Sequence, residues 1–189
     1  MLQYKLLDQF FGYGAQPAYR LSDAGDAETM LAGLELHRFE GFNNEPDMEI
    51  PYTYTFVGRH DRVCEIVRAG MRDMFTTGRG GIPGNEDSGS LSSLYVWNAM
   101  GIFPTFAGDC MLIGSPVLKS ATIHLPSGHD FAIRTVNHSD DNIYVSSITF
   151  NGVRLDRAWL TLDEFYSGGE LVLEMSAEPA SEPFRSPLD

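Results

Sequence analysis

The apolar residues of this chain change period near residue 105, and that change limits the fold class before any other feature does. Upstream, Val63, Ile66, Val67, Gly70, Met71, Met74 and Phe75 recur at steps of three and four. They form one stripe of an α-helix that begins near Asp61 as a plausible N-cap. A second helix is expected from about Ser88 to Met100, with Leu91, Leu94, Tyr95 and Asn98 or Ala99 inward and with Gly101 and Pro104 as its stop. Shorter helical stretches are expected near residues 3–11, 26–35 and 51–58. After residue 110 the alternation is two-residue, over Ala121 to Leu125, Phe131 to Thr135, Ile143 to Ser147 and Leu171 to Met175, which predicts strands. Pro126-Ser127-Gly128, Ser139-Asp140-Asp141, Asn151-Gly152 and Ser167-Gly168-Gly169 punctuate them, and the Asn-Gly pair is a strong hairpin signal. The segment from Glu178 to Asp189, rich in Pro, Ser and Glu, is expected to fray.

The expected fold class is α+β by segregation: a helical part over 1–107, a small antiparallel β module over 108–178 and a tail over 179–189. A Rossmann cofactor site needs a strand before its glycines, and Gly78-Arg79-Gly80-Gly81 lacks one. With 189 residues, 43% of them apolar and 12% aromatic, the chain can bury a core. Its 26 acidic residues against 13 basic ones, a net charge of −13 with no basic cluster, argue against nucleic acid or an anionic membrane as partner. A sugar or a cation suits that charge better. Cys64 and Cys110 have no close metal-ligand spacing and read as two buried small apolar residues. The first sixteen residues show neither the apolar core nor the cleavage site of a signal peptide, and nothing approaches a membrane span, so the compartment stays open.

Chemistry concentrates in two segments. From Thr77 to Gly89, Gly78, Gly80, Gly81, Gly84 and Pro83 surround Asn85, Glu86 and Asp87 directly before a helix. So many glycines fix unusual backbone angles that a solvated connector does not require. The plainer reading is that Glu86 or Asp87 caps the helix. From Glu40 to Glu49, four acidic residues and the amides of Asn43 and Asn44 offer the hard oxygens that Ca²⁺ prefers, although the spacing is not that of an EF-hand. Acidic loops are usually just solvated. The five histidines have no zinc spacing, and Tyr95, Trp97, Phe103 and Trp159 are core candidates that also suit stacking on a sugar.

At these two loops the sequence resembles glycoside hydrolase family 92, the calcium-dependent, inverting, exo-acting α-mannosidases. The resemblance runs through Asn44-Glu45-Pro46, Ile50-Pro51-Tyr52, Gly84-Asn85-Glu86-Asp87 with Gly89, Ser92 and Tyr95, and Gly101 with Phe103-Pro104. It continues through Ile113-Gly114-Ser115-Pro116, Thr122 to Pro126 and Asn151-Gly152. It implies that the chain holds the last helices of an (α/α)₆ barrel followed by a small β module, as a C-terminal portion of the enzyme. It also implies hydrolysis of terminal mannose in α-1,2 or a related linkage, with Asp87 as general base. Asn85, Glu86 and Glu45 would then contact the sugar, and Glu45 with Asn44 would hold Ca²⁺. The family's general acid belongs to a motif upstream of everything here; Asn44-Glu45-Pro46 identifies the segment after Glu40-Gly41 as the later motif. The implied partners are a mannose-containing glycan and either the upstream half of the same enzyme or a second copy. Family members are commonly secreted or periplasmic. A non-catalytic carbohydrate-binding module built on the β segment is the alternative.

Overall fold

The computed structural model describes residues 7, 8, 11 and 44–188. The stretch expected near 26–35, most of that near 3–11, and Glu40 lie outside the described residues. A 3₁₀ run over Ile50–Val57 leads into helix α1, His60–Asp73, and helix α2 spans Ser90–Met100. The α1 stripe packs as its spacing requires, with Val63, Ile66, Val67, Gly70 and Met71 buried. In α2, Leu91, Leu94, Asn98 and Ala99 are buried, but Tyr95 is 43% exposed. Its ring lies instead against Phe75, two residues past α1, centroids 5.2 Å apart. Leu94 already occupies the inward line one position earlier, so the next residue turns away by about 100°.

The helix-to-strand change falls at Gly101, earlier than its expected place. Strands β1 (Ile102–Pro104), β2 (Cys110–Ile113) and β7 (Trp159–Thr161) form one antiparallel sheet in the order β1-β2-β7. Strands β3 (Ser120–His124), β4 (Asp130–Val136), β5 (Tyr144–Phe150), β6 (Val153–Leu155) and β8 (Gly169–Ser176) form a second, in the order β3-β4-β8-β5-β6. This sheet corrects the antiparallel expectation, because β4 and β8 run parallel, with Phe131 opposite Gly169 and Ile133 opposite Leu171. The short helix α3, Leu162–Ser167, delivers the last strand at the end where β4 begins, and β8 enters between β4 and β5. Hairpin signals report neighbours in sequence, whereas this pairing joins strands far apart in it.

Alternation also slips in β5. The register shifts between Val145 and Ser147, so Val145, Ile148 and Phe150 are buried while Ser147 is not. An extra residue in one strand inverts the faces beyond it.

The helical and sheet cores meet. Cys64 of α1 is buried with Ile113, Phe131, Val145 and Leu171 of the sheets, and Trp97 packs against both clusters. The segment beyond Glu178 does not fray as its composition suggests. Phe184 sets its ring edge-on to His60 at 5.2 Å, the Arg185 amide donates to Asp156 O at 2.7 Å, and the Ser186 hydroxyl donates to Phe56 O at 2.9 Å.

His60 joins these layers. Its Nε2 lies 2.8 Å from Ile113 O, an acceptor only, so Nε2 carries the proton and Nδ1 is left to accept from the Cys64 thiol at 3.6 Å. Burial pushes the imidazole down to about 4, against the opposing pull of the Ile113 carbonyl and Asp61. The unfolded chain, near 6.5, then binds more protons between these values. Stability is therefore complete above about pH 6.5 and declines as pH falls towards 4, by about 3 kcal/mol at most. The urea midpoint is expected to drop between pH 7 and 4.5, and to drop less in His60→Gln; equal slopes would assign the acid sensitivity to the carboxylates.

Candidate active site

The glycine loop closes on itself before it reaches its carboxylates. Thr76 N donates to Gly81 O at 2.8 Å and Gly81 N to Gly78 O at 3.2 Å. A Cβ on Gly81 would stand 2.1 Å from Thr76 O, so no other residue fits there. Glu86 and Ser88 then take left-handed angles, φ 54° and 55°, and Gly89 at φ 77° begins α2. Non-glycine residues in that region cost of order 1–3 kcal/mol each and persist where the surroundings impose them.

Two side chains impose them here. The Glu86 carboxylate accepts from the Ser92 amide at 3.0 Å and 3.3 Å, taking one of the unpaired N–H groups of the α2 N-terminus. The capping role read from the sequence thus falls to Glu86. From a segment 42 residues away, Glu45 Oε1 accepts from the Asp87 amide at 3.2 Å and from the Ser90 hydroxyl at 2.8 Å. The acidic segment and the glycine loop are therefore in direct contact. The Glu45 carboxyl is held below the usual carboxylate range, first by its own backbone N–H, then by Ser90, with the Asp87 amide adding to both against desolvation. Asp87 and Asn85 are exposed. Beside the loop runs a groove of about 420 Å³ lined by Phe75, Thr77, Ile82, Ser92, Tyr95 and Val96.

The donor chemistry here tests the calcium expectation. Asn44 Nδ2 lies 3.4 Å from Asp47 Oδ2, which directs the amide nitrogen to the carboxylate and leaves the amide oxygen as the available donor. With the anionic Glu45 it supplies hard oxygen ligands of the right type, as contributors to the six to eight that Ca²⁺ takes. Among the described residues no three His, Cys, Asp or Glu side chains group to hold a metal, so these two residues alone do not complete a shell.

The fold is shared with solved glycoside hydrolases. An inverting mannosidase of family 92 from Bacteroides thetaiotaomicron VPI-5482 superposes with a TM-score of 0.76 at 30% identity, over 98% of this chain and 25% of that one. A family 92 α-mannosidase from Bacteroides thetaiotaomicron gives 0.71 at 26% identity, over 76% and 20%. An uncharacterized secreted glycosidase of Arthroderma benhamiae is 30% identical over 141 residues, 73% of this chain and 18% of that protein. The chain belongs to glycosyl hydrolase family 92, whose catalytic-domain sequence model matches residues 4–177. It spans about a fifth to a quarter of the length of these relatives. No helix among the described residues is long and apolar enough to cross a membrane.

Proposed function

We propose that this chain carries the base side of the active site of an inverting, exo-acting α-mannosidase. The observation that carries the reading is the convergence of Glu45 on the amide of Asp87 and the hydroxyl of Ser90, which fixes an exposed carboxylate on a strained loop. In the proposed reaction Asp87 removes a proton from water, and the oxygen attacks the anomeric carbon of a terminal mannose opposite the leaving sugar. The general acid, a glutamate upstream of this segment, protonates the departing glycosidic oxygen from about 6.5–9.5 Å across the bond. Asn85 and Glu86 flank the sugar, and Glu45 positions the loop. Glu45 and Asn44 would hold Ca²⁺, which supplies Lewis-acid polarisation of substrate hydroxyls when bound.

The helices, which end at Met100, are proposed as the last of an (α/α)₆ barrel, with the β module following from Ile102. Ile82, Tyr95 and Val96, 40%, 43% and 54% exposed, offer apolar surface for the remaining helices. Those come from the upstream half of the same enzyme or from a second copy. The proposed substrate is a glycan ending in α-1,2-linked or similarly linked mannose, met by a secreted or periplasmic enzyme.

The test is release of mannose from a panel of α-linked mannobioses, with calcium and with chelator. Release that stops on chelation is expected where the acid is supplied. Binding of mannose without release marks a half-site awaiting its acid. Sugar binding indifferent to chelation, without release under any supply of the upstream half, would assign the chain to a carbohydrate-binding module instead.

A further inference from the structure

The acidic segment that fixes the Asp87 loop also fixes a second turn. Four residues beyond Glu45, Glu49 Oε2 accepts from the Phe106 amide at 3.1 Å. That turn joins β1 to β2 and is braced from within. Thr105 Oγ1 donates to Asp109 Oδ1 at 2.6 Å and accepts from the amides of Asp109 at 3.2 Å and Cys110 at 3.3 Å. Thr105 N donates to Cys110 O at 3.1 Å, and Gly108 N to Thr105 O at 2.9 Å. A turn held this firmly presents Phe106 to solvent, 59% exposed. Its ring meets Phe103 edge-on at 5.9 Å, and Phe103 stacks on the fully buried Tyr52 at 4.9 Å. The exposed ring thus stands on a buried aromatic column, and its placement is tied to that of Asp87 through one short segment.

We infer that Phe106 is the platform on which the sugar next to the terminal mannose stacks, a specificity residue for the site proposed above and resting on that reading. A pyranose offers a face of C–H bonds carrying partial positive charge, complementary to the negative face of an aromatic ring. The carboxylate of Asp109 in the same turn is an acceptor for its hydroxyls. The turn carries no cation, so the ligand is a neutral sugar and not a phosphorylated or sulfated one. An exo-acting enzyme takes only the terminal residue at Asp87, and the rest of the glycan must leave along its surface; in this reading the turn, held by the same acidic segment as the Asp87 loop, receives it.

The experiment compares methyl α-mannoside with an α-linked mannotriose, binding measured by calorimetry on the 189-residue chain in calcium and in the same chain joined to its upstream half. In Phe106→Ala the triose is expected to bind roughly 3- to 10-fold more weakly, the worth of one aromatic contact. Methyl α-mannoside affinity stays unchanged, and Phe106→Trp restores the triose. Equal triose affinity in wild type and Phe106→Ala overturns the platform while leaving the site reading intact. A parallel loss for both ligands also overturns it, as the mark of a structural role. Failure of the wild type to bind either sugar in both forms overturns the site reading, and the platform with it.

Discussion

Asp87→Asn is expected to lower mannose release by roughly 10²- to 10⁴-fold, the usual worth of a positioned general base, while leaving the fold intact. The contacts of Asp87 with its neighbours run through its backbone: its amide donates to Glu45 Oε1, and its carbonyl accepts from the Ser90 amide. Asparagine keeps both and matches the side chain in size. An exposed substitution of this kind shifts stability by less than about 0.5 kcal/mol, so an unchanged unfolding midpoint beside collapsed kcat is the expected pair of results. Azide needs no deprotonation before it attacks. Adding it is expected to restore turnover in Asp87→Asn and to do nothing for Glu45→Gln, where the loop itself loses an anchor. The measurement belongs in a chain that also supplies the acid. An asparagine variant retaining more than about a tenth of wild-type activity would be too active for a missing base and would transfer the role to Glu86 or Glu45.

The separation of Glu45 from Asp87 also shows where the sequence stops being readable. The α1 stripe and the Asn151-Gly152 hairpin are local, and local spacing reported them closely: the helix covers His60–Asp73, capped at Arg59 with the expected cap Asp61 inside its first turn, and Phe150 pairs with Val153 across the turn. Strands β1, β2 and β7 are three or four residues long, too short for any period to register. Helix α3 is only six residues long, yet Thr161 and Glu164 form a reciprocal capping box at its start, a legible signal that the alternation argument passed over. The parallel β4-β8 pairing and the β5 bulge depend on partners that no local window contains.

The site was legible in a different way. Composition left the acidic segment as an ordinary solvated loop, and only the resemblance placed it with the glycine loop; the contact at Ser90 gives the physical link. Several residues that carry the resemblance are packing joints rather than chemistry. A Cβ on Gly101 would stand 2.7 Å from that of Pro116, and one on Gly114 2.6 Å from the Tyr52 hydroxyl. That hydroxyl donates to the buried Asn98 Oδ1 at 2.7 Å. A motif therefore marks closeness as readily as catalysis, and the distinction needs coordinates. Phe106 escaped both kinds of reading, since one aromatic in a turn has no period and no motif.

Phe131→Ala is expected to cost the fold about 3–5 kcal/mol, as buried phenylalanine truncations do. The ring is fully buried at the point where the mixed sheet meets α3. Its centroid lies 4.8 Å from that of Phe165 in the helix and 6.0 Å from that of Phe150 in β5. On the backbone it stands opposite Ile123 of β3 and Gly169 of β8. The glycine has no side chain to swing into the space, so the cavity stays largely open and the loss sits near the top of the range. Against a total of about 5–15 kcal/mol for a domain, that is a large share, read as a lowered urea midpoint at unchanged slope. A cost below about 1 kcal/mol would mean that the sheet repacks and that Phe131 is not its keystone. Trp97 touches both cores, so helices and sheet are expected to unfold together, with helical and tertiary signals lost at one midpoint. Below that midpoint the alanine variant should still hold Glu45 on the Asp87 loop and bind sugar as wild type does. Asp87→Asn should do the reverse, keeping the midpoint and losing the reaction, and the opposition of the two variants separates the residue that holds the fold from the one proposed to perform the chemistry.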